Sequence, residues 1–104
     1  MSLKENNILI KYLGNLYLKM QIEYINTELN IEESGQITKA YSAIEFIHDV
    51  DEILKSLPPD YEIILRNDYF RHRERKWYLK YYSRSTYYRL KVDALNEFVR
   101  CVTN

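Results

Sequence analysis

Two glycines and two prolines are all that punctuate 104 residues, and between them the apolar residues recur at three- and four-residue steps. A chain this poor in turn formers is confined to long helices, because a β meander or sandwich needs a turn every few residues. From about Leu3 to Asn30, Leu9, Leu13, Leu16 and Met20 interleave with Ile8, Tyr12, Tyr17 and Tyr24, which predicts one long helix with a broad apolar face. Gly14 inside it costs about 1 kcal/mol relative to alanine, a loss that packing must offset. Residues 30–36 read as its end and a short loop. A second helix is predicted over Thr38–Leu57, with Ala40, Ala43, Ile44, Ile47, Val50, Leu54 and Leu57 in one stripe. Pro58-Pro59 stops it. Pro59 then suits the opening of a third helix, Asp60 to about Phe70, since its φ is preset and its missing N–H is not needed in a first turn. Ile63, Ile64, Leu65 and Tyr69 are the expected inward residues. Arg71-His72-Arg73 connects to a short helix near Glu74–Tyr81, and a last helix runs from Ser83 to about Val102. The expectation is one all-α domain, residues 1–104, of about five helices.

Net charge is zero, but the charges divide. Residues 1–60 carry five Lys/Arg against ten Asp/Glu, a balance of −5, and residues 61–104 carry ten against five. Between positions 66 and 91, nine basic residues face two acidic ones, Asp68 and Glu74. Such asymmetry points to a polyanion as partner of the basic half, while the acidic half could limit non-specific binding or meet a basic protein.

Several function classes find no support. One cysteine, Cys101, and two histidines, His48 and His72, give neither an internal disulfide nor a metal-ligand cluster. There is no Gly-rich phosphate loop, no His-Glu pair at metalloprotease spacing and no nucleophile-base pair, so neither catalysis nor a cofactor is expected. Asp49, Asp51 and Glu52 read as a solvated acidic surface. No apolar run resembles a signal or membrane-spanning segment, and a reducing cytoplasmic setting is expected. Trp77 reads as a core anchor, Cys101 as a small buried hydrophobe, His48 as an edge residue of the second helix and His72 as an exposed loop residue.

The stretch Ser83-Arg84-Ser85-Thr86-Tyr87-Tyr88-Arg89-Leu90-Lys91 carries the sharpest functional signal. Ser83 is an N-cap candidate. Tyr87, Leu90, Ala94 and Phe98 form a buried stripe, which leaves Arg84, Ser85, Thr86, Tyr88 and Arg89 for the outer surface. From Leu57 the order is helix, connection, short helix, tight turn at Tyr81-Tyr82, helix; this is the order of a helix-turn-helix, whose last helix meets base edges with its first residues. Arg can grip guanine bidentately, and Ser or Thr can bond several base edges. Arg71, Arg73, Arg75, Lys76, Lys80 and Lys91 would then approach phosphates.

The segment Leu57-Pro58-Pro59-Asp60-Tyr61-Glu62-Ile63-Ile64-Leu65-Arg66-Asn67-Asp68-Tyr69-Phe70, followed by Ser83–Arg89 and Ala94-Leu95, resembles the fourth region of bacterial sigma-70-type factors. It resembles still more the small phage-type transcriptional regulators of the ArpU kind, through the "Ser, basic, Ser/Thr, Thr, aromatic, Tyr, Arg" helix start and the "Ala-Leu…Phe" tail. The resemblance covers about 45 C-terminal residues and none of residues 1–56. It implies sequence-specific binding of double-stranded DNA in transcription regulation, with the helix from Ser83 as the reader. Residues 1–56, the acidic helices, would brace the basic segment 57–104, form a homodimer, or contact RNA polymerase or another protein. The competing expectation is a helical protein-interaction module without sequence-specific DNA binding. RNA binding through a Tyr- and Arg-rich surface is a third.

Overall fold

The computed structural model describes residues 3–29, 34–71 and 73–103, without the side chains of 23–29 and 34–41. Four α-helices account for most of it: α1 (Leu3–Leu29), α2 (Ser34–Ser56), α3 (Pro59–Leu65) and α4 (Arg84–Thr103). No strand occurs among the described residues, and no described helix is long and apolar enough to cross a membrane. α1 and α2 pack along each other as a hairpin, and α3 and α4 pack across its base. At 27 residues α1 is about 40 Å long. That length explains a radius of gyration of 15.5 Å, above the roughly 13 Å of a compact chain of this size.

α3 begins where the two prolines place it. Pro58 is extended (φ −52°, ψ 146°), Pro59 occupies the first turn, and the first helical hydrogen bond runs from Glu62 N–H to the Pro58 carbonyl at 3.0 Å. Past Leu65 the helix widens into a π-type turn, Arg66–Phe70, before the chain straightens at Arg71. Instead of a fifth α-helix over Glu74–Tyr81, the chain makes one 3₁₀ turn, Trp77–Lys80. Its buried residues, Trp77 and Tyr78, are neighbours in sequence. A longer α-helix here would need an apolar residue every third or fourth position, and residues 71–76 supply none.

The main core joins all four helices: Ile10 and Tyr17 from α1, Val50 and Leu54 from α2, Leu65, Tyr69 and Phe70 around the π turn, and Ala94, Leu95 and Phe98 from α4. Phe70 sits at its centre, edge-on to Tyr17 (centroids 5.3 Å apart) and tilted against Phe98 (6.0 Å). A smaller cluster of Ile64, Trp77, Tyr78 and Tyr87 fixes the 3₁₀ turn to α4.

Several inward assignments are corrected. Ile8 and Tyr12 point outward, because α1 buries the stripe Asn6, Ile10, Gly14 and Tyr17. Ile63 is 45% exposed, since α3 turns Ile64 and Leu65 to its two neighbours. Ile44 is exposed and Cys101 only half-buried. Helix α2 starts at Ser34, earlier than Thr38. Tyr24, Ala40 and His72 fall outside the described side chains.

Candidate nucleic-acid interface

Ser83 caps α4. Its Oγ accepts the Thr86 N–H at 3.2 Å and donates to Thr86 Oγ1 at 2.8 Å, and its carbonyl accepts the Tyr87 N–H at 2.9 Å. The cap uses Thr86, which is half-buried, so this hydroxyl is engaged within the helix start. Arg84, Ser85, Tyr88 and Arg89 are exposed. Behind them Tyr87 is buried in a stack on Tyr78, with rings 3.7 Å apart and nearly parallel, and Trp77 stands edge-on to both. Edge-on pairs such as those of Trp77 with Tyr78 and Tyr87 add about 0.5–1.5 kcal/mol beyond area burial, so the first turn of α4 is held on an aromatic platform.

Asp68, on the π turn, ties that platform together. Its Oδ1 accepts the Trp77 indole N–H at 2.8 Å; its Oδ2 accepts the Tyr87 hydroxyl and pairs with Lys91 Nζ at 3.2 Å. The carboxylate is 12% exposed and the Lys91 side chain 24%. Lys91 Nζ also lies 5.2 Å from the Tyr69 ring centroid and 5.6 Å from that of Tyr87. Burial, and then the hydrogen bond to and charge of Asp68, push the Tyr87 phenol well above the ordinary tyrosine range. Tyr69 is raised by burial and by the same carboxylate, and its hydroxyl donates to Asn7 Oδ1 at 2.6 Å.

Two members of the basic tract are therefore internal. Lys91 neutralises Asp68. Arg66 donates to Glu62 (2.9 Å) and to Asp51 (3.0 Å), and Tyr17 donates to the same Asp51 oxygen. Burial works against the Arg66 charge, but the two carboxylates outweigh it and raise its pKa. Asp51 is thus part of a bridge among α1, α2 and α3, whereas Asp49 and Glu52 stay on the surface beside His48. Trp77 is the core anchor that the sequence suggests.

Five others of the tract, Arg71, Arg73, Arg75, Lys76 and Arg84, line a cleft of about 880 Å³ between α1, the chain around residues 73–76 and α4. Arg71, Arg73, Arg75 and Lys76 line one wall; Arg84, Tyr88 and Lys91 line the wall made by α4. The structure brings these predicted residues together. Ser85, Thr86 and Arg89 do not line the cleft, and Lys80 lines a neighbouring groove on the far side of the 71–76 segment. Lys11 and Asn7 of α1 also line the cleft, although they lie in the half of the sequence read as acidic. No spacing in the sequence links them to residues 71–91. Asp68 was visible only as one of two acids in a basic run. No family model matches the chain, and neither a curated protein nor a solved structure matches it.

Proposed function

We propose that the chain is a DNA-binding transcription regulator whose segment 57–104 works as a helix-turn-helix, with α4 as the reading helix. The observation that carries this is the start of α4: Arg84, Ser85, Tyr88 and Arg89 are exposed on a helix whose opposite side is fixed by Tyr87, Ala94, Leu95 and Phe98. Ser85 and Arg89, one turn apart and facing away from the core, are the base-edge contacts; Arg84 and Tyr88 flank them. Arg71, Arg73, Arg75, Lys76 and Lys80 supply phosphate contacts from the adjoining segment. Lys91 and Thr86 take lesser parts, because each is engaged within the fold. In this reading the 3₁₀ turn Trp77–Lys80 and the three residues after it serve as the first helix and turn of the motif. The chain acts by binding, with no chemistry of its own.

Fluorescence anisotropy on a random duplex pool, with a salt titration and selection of enriched sequences, tests this. The expected result is an enriched motif whose affinity falls about 10–100-fold in Arg89→Ala. Arg73→Ala is expected to lower affinity for all sequences and reduce the salt slope by about one. Binding without enrichment, indifferent to Arg89, would overturn it.

A protein-interaction module has its own supporting observation. Ile8, Tyr12 and Ile22 are exposed large apolar residues on the outer face of α1, suited to a second copy or to a subunit of the transcription machinery. A dimer lost in Tyr12→Lys, combined with no enriched sequence, would favour that reading.

A further inference from the structure

The cleft beside α4 is distinct from the face that would read bases. Arg84, Tyr87, Tyr88 and Lys91, at helical spacing, face the cleft, while Ser85 and Arg89 look away from it. Lys11, Arg73, Arg75, Lys76 and Arg84 line it without a hydrogen bond or ion pair to any described residue. These five exposed cations around one concavity repel each other, and solvent screens but does not remove that repulsion. Among the described residues, Glu74 is the only acid lining it besides Asp68, and Asp68 is already neutralised by Lys91. The floor is also stiff. Asp68, Tyr87, Trp77 and Lys91 are cross-bonded, which fixes the 3₁₀ turn to α4 beneath the cleft.

We propose that this cleft is a binding site for a small phosphate-rich anion, an oligophosphate or nucleoside polyphosphate. Its volume of about 880 Å³ falls within the roughly 300–1,000 Å³ of small-molecule sites. Arg73, Arg75 and Arg84 offer planar forks to phosphate oxygens, and Lys11 and Lys76 act as point charges from the opposite walls. Tyr88, half-exposed and edge-on to Tyr87 at 5.0 Å, presents a ring at the rim against which a planar base can lie. Lys11, on α1, stands apart from every DNA contact proposed for segment 57–104, and its place in the lining suits a small anion held between α1 and α4 better than a duplex backbone. Because Arg73, Arg75, Lys76, Arg84 and Tyr88 belong both to the cleft and to the proposed DNA contacts, an anion seated there would compete with DNA.

Isothermal titration of the full chain with sodium tripolyphosphate, at fixed ionic strength, tests the site. One saturable site is expected, weakened about tenfold by Lys11→Ala and by Arg73→Ala and unchanged by Arg89→Ala, which lies outside the cleft. Absence of saturation would overturn the proposal. So would equal weakening by Arg89→Ala, which would mean that the general positive field binds the anion. The same variants titrated with duplex DNA separate the two phosphate sources. If Lys11→Ala weakens duplex binding while tripolyphosphate shows no saturable site, the cleft holds nucleic-acid backbone and the small-anion proposal fails. If tripolyphosphate saturates the site and no duplex binds, the site stands and the DNA reading falls.

Discussion

Asp68 shows how much one side chain can determine in a small helical protein. Its two oxygens hold an indole from the 3₁₀ turn and a phenol and an ammonium from α4, and the phenol bears the consequence. Tyr17, Tyr69, Tyr82 and Tyr87 are all raised above the ordinary tyrosine value, each first by burial and then by a neighbouring carboxylate; Tyr82, hydrogen-bonded to Asp60, is pushed up to about 12. An unfolded tyrosine ionises near pH 10. Above that pH the unfolded chain binds fewer protons than the folded one, so stability must fall as pH rises. The stabilisation is complete below about pH 10 and is lost toward the folded-state values, at about 1.4 kcal/mol per pH unit for each buried phenol. Tyr82, more open to solvent, contributes less. Urea midpoints are therefore expected to hold steady to about pH 10 and then drop steeply. Tyr87→Phe should start about 1–2 kcal/mol lower, having lost its bond to Asp68, and drop less steeply. A midpoint unchanged up to about pH 12 would contradict the assignment.

At the scale of elements, α1 and the π turn fit each other through Gly14. A Cβ placed there would stand 2.2 Å from the Tyr69 carbonyl oxygen, a backbone atom that cannot rotate away. Helix propensity alone says that Gly14→Ala stabilises by about 1 kcal/mol. The contact should win, since overpacking a tight site costs about 1–3 kcal/mol, and moving the π turn also strains the Tyr69–Asn7 bond. A lower urea midpoint with unchanged slope is expected; a raised midpoint would show that the helices separate freely. The glycine's cost was legible in the sequence, but its partner was not. The same division holds for every element. α1, α2, the proline start of α3 and the Ser83 cap follow from local periodicity and capping, which the sequence displays. The π turn and the 3₁₀ turn arise from contacts of Asp68, Trp77 and Tyr78 with distant residues, and no local pattern announces them. For the same reason the exposed start of α4 could be read in advance, whereas the retirement of Lys91 and Arg66 into ion pairs and the arrival of Lys11 at the cleft could not.

Over the whole molecule, the acidic and basic halves of the sequence share one core. Arg66 reaches across to Asp51 and shares it with Tyr17. Asn6 of α1 donates to Asn96 of α4 at 2.7 Å. Most telling is the core, where Phe70 and Phe98 from the basic half are covered by Ile10, Tyr17, Val50 and Leu54 from the acidic half. Full burial of each such side chain is worth about 1.5–3 kcal/mol. Removing four of them forfeits roughly 6–12 kcal/mol, about the whole stability of a domain this size. Segment 57–104 carries the entire proposed reading surface, so a freestanding helix-turn-helix would be expected to fold and bind without residues 1–56. The packing predicts the opposite. The isolated segment should show weak helical circular dichroism and no cooperative urea transition, while the full chain unfolds in a single step. A separated segment that melts cooperatively and keeps the full chain's affinity for DNA would show instead that α1 and α2 merely shield an independent domain. Their acidic surface would then need a partner of its own to account for it.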